Sequence, residues 1–131
     1  MIPKFRVWNK KTESFIDYGD LMLDLKNAKV YAGDVGIPEY TIDVTKQVIL
    51  MQYTGLKDEN GVEIFEGDIV KVGTLEDEPI GYIKWIPKSA EYKVINHINP
   101  FGEEHVSFYH AKLFEVIGTL YENPELLETS E

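Results

Sequence analysis

Apolar residues recur along much of this chain at every second position, the repeat of a strand that buries one face. "KFRVW" at residues 4–8 sets Phe5 and Val7 against Lys4, Arg6 and Trp8. "SFIDY" is predicted to pair back onto it, with "NKKTE" as the polar turn between them. Further on, "IGYIKWI" alternates Ile80, Tyr82, Lys84 and Ile86 against Gly81, Ile83 and Trp85. "EYKVINHI", "HVSFYH" and "LFEVIGTLYE" read as additional strands, with "NPFGEE" as a turn and "EDEP" as an exposed acidic loop. "TKQVILMQY" is too short for its period to separate helix from strand. Val48, Ile49 and the turn residues after it favour a strand. Residues 19–47 carry a mixed pattern, and "YAGDVGIPEY" within them is loop-like.

The centre of the chain, "MQYTGLKDENGVEIFEGDIVKV" at 51–72, is dense in glycine turns and acids. Thr54 and Gly55 are expected to end a strand. Asn60 and Gly61 suit the two central positions of a type I′ hairpin, where both residues need positive φ. "EIF" is then a short, exposed return strand. "EGD" at Glu66, Gly67 and Asp68 makes a second reversal, and "DIVKVG" leaves it with Ile69 and Lys71 on one face and Val70 and Val72 on the other. At the far end, "ENPELLE" offers Asn123 as an N-cap, Pro124 at the first helical position and Glu125 at the positive end of a short helix. Leu126 and Leu127 would dock that turn.

Short strands between turns, with almost no helical period, predict a mainly all-β fold. It is a small SH3-like barrel or sandwich of short antiparallel strands with a short C-terminal helical turn. At 131 residues the chain is expected to be a single domain over 1–131, with a basic N-terminal strand region at 1–18 and a β core at 48–128.

Charge changes the picture of what such a domain meets. The net charge is −10, yet residues 1–12 carry Lys4, Arg6, Lys10 and Lys11 with no acid. The remainder therefore sums to −14, which is the −10 total less that +4. Glu115, Glu122, Glu125, Glu128 and Glu131 stand near the end with no base among them. An acidic body repels phosphate backbones, so nucleic acid is an unfavoured partner. A basic protein surface suits it better, or a second copy of the chain presenting its basic strand. Without cysteine, disulfides, thiolate nucleophiles and cysteine zinc sites are excluded. "MIPKFRVWNKK" has no secretory h-region, and no apolar run approaches the ~20 residues that cross a bilayer. The expectation is a cytoplasmic protein without a membrane partner.

Candidate chemistry fails on geometry. A calcium loop starting at Asp58 would place Val62 at the fifth position and Glu63 at the sixth, where an oxygen ligand and a glycine are required. Glu66 and Asp68 flank a glycine as a carboxylate pair would, but nothing supplies the raised pKa that a catalytic acid needs, and a turn-capping Asp68 with a solvated Glu66 is the better reading. His97, His105 and His110, with Glu103 and Glu104 nearby, lack the i, i+4 spacing of a zinc motif. Ser14, Ser89, Ser107 and Ser130 occupy no nucleophile elbow, and "GDVG" at 33–36 is too short to cradle a phosphate. No catalytic, cofactor-binding or metal residue is therefore assigned, and no enzymatic activity is expected. Trp8, Tyr82, Trp85, Tyr92, Phe108 and Tyr109 stand in alternating strands, so part of the set is expected outside, beside Lys4, Arg6, Lys84 and Lys93. Exposed aromatics suit a protein interface first, and stacking on single-stranded bases second.

"KFRVW", the 51–72 block and "EVIGTLYENPELLE" at 115–128 together resemble the YopX family, small proteins carried by phages and prophages of Gram-positive bacteria. Val7 and Asn9 stand where members usually have Ala and Asp. The resemblance implies a mostly β fold and a phage setting, and it brings no established activity or catalytic residues. The lack of any catalytic constellation, the acidic body and the basic first strand, set in that phage context, suggest a non-enzymatic phage or prophage accessory protein that acts through protein contacts, as a homo-oligomer or on a host or phage protein. The alternative is a nucleic-acid-related role, through single-strand binding by an aromatic face or as an acidic decoy of a DNA-binding host protein.

Overall fold

The computed structural model describes residues 3–16, 20–33, 41–72, 80–96, 104–107 and 114–127. The described elements are twelve strands and one 3-10 helix, and every strand pairing whose register is described is antiparallel. The mainly all-β expectation holds. The chain divides into two compact units, one of Arg6–Met51 and one of Met1–Phe5 with Gln52–Glu131.

In the Arg6–Met51 unit, β1 (Phe5–Asn9) pairs with β2 (Ser14–Phe15) through Trp8 opposite Phe15, the hairpin that the N-terminal alternation predicts. β3 (Asp20–Asp24), β4 (Lys29–Gly33) and β5 (Ile42–Asp43) form a three-stranded sheet inside the span whose pattern is mixed. Val7, Val30 and Val48 make its buried core, with Ile16, Leu21, Leu23, Val44 and Leu50 packed around them. The basic strand is partly absorbed here. The Arg6 guanidinium lies 5.0 Å from the Phe15 ring centre, and Trp8 is buried edge-on against Phe15 at 5.0 Å.

β6 (Val48–Lys57) passes from this unit into the other. Thr54 and Gly55 do not end it. Gly55 takes a φ of 90° inside a register shift between Tyr53 and Lys57, so the glycine bends a continuous strand as a bulge. β7 (Glu63–Phe65) returns along it, and β8 (Asp68–Val72), β9 (Ile80–Ile86), β10 (Glu91–Asn96), β11 (Glu104–Ser107) and β12 (Phe114–Thr119) build a sheet in the order β11-β10-β9-β8-β12.

One face of that sheet, with β7, forms the main core. Val70, Ile83, Val94 and Phe114 close around Ile64, and Val72, Tyr92 and Val116 pack at the margin. Two sequence expectations change here. The return strand "EIF" is not simply exposed, because Ile64 is fully buried. Ile69 and Ile95, on the opposite sheet face, are buried as well. A sheet covered on both sides blurs the simple in–out alternation. Gly81 is required by packing, since a Cβ there would stand 2.5 Å from the Ile95 carbonyl oxygen.

The 3-10 helix (Pro124–Leu127) docks on β9, with Pro124 at its first position and Leu126 and Leu127 half-buried. Asn123 precedes it as expected, but its side-chain oxygen turns back to accept the Thr119 N–H at 3.2 Å.

Candidate functional site

The acid-and-glycine block is the obvious place to look for a ligand, and its geometry spends the two buried carboxylates on the backbone. Asp58 is only 6% exposed. Its Oδ1 accepts the N–H groups of Asn60 at 2.8 Å and Val62 at 2.9 Å, and its Oδ2 accepts the N–H of Val116 on β12 at 2.9 Å. The Asp58 carbonyl accepts the Gly61 N–H at 3.1 Å, and the Asp58 N–H donates to the Val62 carbonyl at 2.8 Å. Gly61 has a φ of 81°, whereas Asn60 does not enter the left-handed region. The connection is therefore a three-residue loop of 59–61, a type I turn closed by a glycine bulge, and not the type I′ turn that Asn-Gly predicts. The reason lies in Asp58: by accepting the amides of Asn60 and Val62 on one oxygen it fixes the path of the loop so that positive φ falls on Gly61 alone.

The second reversal works the same way. Asp68 is 1% exposed, and its Oδ2 accepts the Phe65 N–H at 2.8 Å. Gly67 takes a φ of 87° at the second central position, the place a type II turn reserves for glycine. Gly67 also donates to the Ile83 carbonyl and accepts from the Leu120 N–H, which ties the turn to β9 and to the residue after β12. Asp68 thus caps the turn as expected. Glu66 is half-buried instead of fully solvated.

What Glu66 faces is a surface notch of about 180 Å³, lined among the described residues by Gln52, Glu66, Trp85 and Tyr92. Each lining residue is placed by an element of the same unit. Trp85 and Tyr92 are direct cross-strand partners on β9 and β10, and their rings meet edge to face at 5.0 Å. They continue the core face outward from Ile83 and Val94, so Tyr92 packs on the core while Trp85 remains 39% exposed. Gln52 comes from β6, and its carbonyl accepts the Glu66 N–H at 3.0 Å. The Tyr92 hydroxyl donates to the Gln52 Oε1 at 3.5 Å, a long contact. Burial, and secondarily the Glu66 charge, push the Tyr92 phenol above its ordinary pKa, so it stays a neutral donor at physiological pH. The notch thus offers two ring systems, a carboxylate and an amide oxygen. Lys84 and Lys93, which the sequence places beside the aromatics, are opposite one another on the other face of the sheet.

The remaining candidates are only partly described. His97, His110, Phe108, Tyr109, Glu103, Ser130 and most of "GDVG" lie outside the described residues. His105 is on β11, its backbone opposite Ile95. Among the described residues no group of three or more histidine and acidic side chains is arranged to hold a metal ion. Among them, too, no helix is long and apolar enough to cross a membrane. Lys4 of the basic N-terminal segment pairs with Glu63 at 2.7 Å beside the Tyr53 ring. Sequence reasoning missed Gln52 and the pairing of Glu66 with Trp85 and Tyr92. The Trp85–Tyr92 register is recoverable from the tight loop between their strands, but nothing local brings the Glu66 turn to them.

The chain is similar over its whole length to two solved structures. Protein EF1440 from Enterococcus faecalis is 26% identical with a TM-score of 0.63, covering 98% of this chain and 99% of that one. Protein yopX from Bacillus subtilis is 21% identical with a TM-score of 0.60, covering 97% of each chain. No curated protein matches. The model of the YopX protein family matches residues 4–128, which takes in every strand described above, and the chain belongs to the YopX family.

Proposed function

We propose that this YopX-family protein is a non-enzymatic accessory protein of a phage or prophage in a bacterial cytoplasm, and that it acts through protein–protein contact. One observation carries the reading. The acid-rich block that most resembles a reactive site has its buried carboxylates, Asp58 and Asp68, bonded to backbone amides, so it builds scaffold. What the same block presents outward is Glu66, in a notch with the partly exposed Trp85. Tryptophan and tyrosine are enriched at the centre of surfaces where proteins meet. The net charge of −10 favours a basic partner, either a host or phage protein or the basic strand of a second copy. A single-strand-binding role is weaker, because Lys84 and Lys93 stand on the sheet face away from Trp85 and Tyr92.

Light scattering after size exclusion, together with affinity capture from host and phage-infected lysates, tests the proposal. The expected result is either a defined oligomer or a captured protein that Trp85→Ala releases without loss of fold. A strict monomer that captures nothing would remove its support.

A further inference from the structure

The notch has a shape and chemistry that select one kind of group, and this deepens the protein-contact reading on which it rests. Its volume of about 180 Å³ is below the roughly 300–1,000 Å³ of small-molecule pockets and matches the head of one side chain. Its walls are two aromatic rings set edge to face, the Glu66 carboxylate, the Gln52 amide and the Tyr92 phenol, which burial keeps uncharged. Aromatic faces carry negative potential and attract a cation. A carboxylate at the rim supplies a charged acceptor, and the body behind it carries −14 beyond the first twelve residues. An ammonium would satisfy the charge. A planar guanidinium satisfies the charge, stacks on a ring and donates to two oxygens at once.

We infer that the Gln52–Glu66–Trp85–Tyr92 notch is a receptor for an arginine side chain presented by a partner protein. Trp85 supplies the exposed ring on which the guanidinium lies, Glu66 takes its N–H groups, and Gln52 with Tyr92 closes the inner end. The neighbouring lysines do not compete from within the same sheet face, since Lys84 and Lys93 point to the other side. Neutral or acidic side chains are refused: the first gain nothing from Glu66, and the second meet its charge.

The test uses the full chain and three short probes: blocked tripeptides Gly-Arg-Gly, Gly-Lys-Gly and Gly-citrulline-Gly. The Trp85 indole N–H is followed by nuclear magnetic resonance and assigned by its loss in Trp85→Phe; the buried Trp8 indole serves as the internal control. The arginine peptide should shift the Trp85 signal saturably and leave Trp8 still. The lysine peptide should bind several-fold more weakly, and the uncharged citrulline isostere should not saturate. Glu66→Gln should weaken the arginine peptide about tenfold, the loss of one charge-assisted hydrogen bond, with an unchanged melting temperature. Equal shifts from citrulline, a preference for lysine, indifference to Glu66→Gln, or no saturable shift would each overturn the assignment. If a captured partner is retained by Trp85→Ala and Glu66→Gln, the notch fails while the protein-contact reading stands. If arginine binds but no partner or oligomer is found, the reverse holds.

Discussion

At the scale of single residues, the turn chemistry decides more than the hydrophobic pattern does. Asp58 is a small polar residue in a loop by its sequence context, yet it accepts three backbone N–H groups and joins the β6–β7 connection to β12. Removing it leaves three part-buried donors without their partner, at up to about 1–3 kcal/mol for each unsatisfied group. Asp58→Ala is therefore expected to lower stability by about 3 kcal/mol or more, read as a shift of the urea midpoint at constant slope. Gly61 is different in kind, because a Cβ there would meet nothing within 4 Å. Its constraint is the backbone alone, at a φ of 81°. Gly61→Val should cost on the order of 1 kcal/mol or more, as a β-branched residue resists the left-handed region. An unchanged melting temperature would show that the loop tolerates another geometry. The glycine itself was legible from "ENG"; the turn type was not, because it depends on which amides the Asp58 carboxylate accepts, and one of them, Val116, stands on a distant strand.

At the scale of elements, three hairpins share one device. The loops 10–13, 25–28 and 87–90 each hold four residues and end on a non-glycine in the left-handed region: Glu13 at 54°, Ala28 at 54° and Ala90 at 52°. In two of them the residue before the loop caps it. Asn9 Oδ1 accepts from the Lys11 and Thr12 amides, and Asp24 Oδ1 from those of Lys26 and Asn27. On β5, Asp43 Oδ1 accepts the Thr45 hydroxyl at 2.6 Å and its N–H at 2.9 Å. Hydrogen bonds from the side chains of Asn27 and Thr45, with backbone amides next, hold Asp24 and Asp43 below the ordinary value of 3.8. A carboxyl whose folded pKa is lowered stabilises the fold above the unfolded value and loses that contribution as pH falls through the folded one. The β3–β5 sheet should accordingly weaken as the solution is acidified below 3.8. Asp43→Asn keeps an acceptor oxygen without the titration, so its stability against pH should fall less steeply there; an identical slope would put the acid sensitivity elsewhere. These strands escaped sequence reading for a physical reason. β5 is only two residues long and its Ile42 is 67% exposed, and the apolar Leu25 in the loop after β3 is 83% exposed, so apolar residues outside blur the pattern.

At the scale of the molecule, charge is the dominant long-range term. With −10 overall and −14 beyond the first twelve residues, like charges repel in the folded chain more than in the expanded one. Salt shortens the reach of that repulsion, from about 30 Å at 0.01 M to about 3 Å at 1 M. Melting temperature at neutral pH should therefore rise with added sodium chloride. The Lys4–Glu63 pair is exposed and opposes this trend by too little to reverse it. A melting temperature that falls steadily with salt would mean that paired charges outweigh net repulsion. The same acidity bears on the notch, because it raises the local concentration of cationic groups before any contact forms.

By itself the sequence determined the β class, the N-terminal hairpin, the positions of the glycine turns, the helical turn at Pro124 and the family. The structural ones depend on residues close together in the chain, through alternation, positive φ and a proline's missing N–H, whereas the family is read from the three blocks at 4–8, 51–72 and 115–128 taken together. The tertiary structure decided that Asp58 and Asp68 are internal braces, that Trp8 is buried while Trp85 is half open, and that Glu66 meets Trp85 and Tyr92 in one notch. Those outcomes depend on which strands become neighbours and which sheet face is covered. Period-two patterning states that a side chain points to one of two faces; only packing settles what stands on the other side.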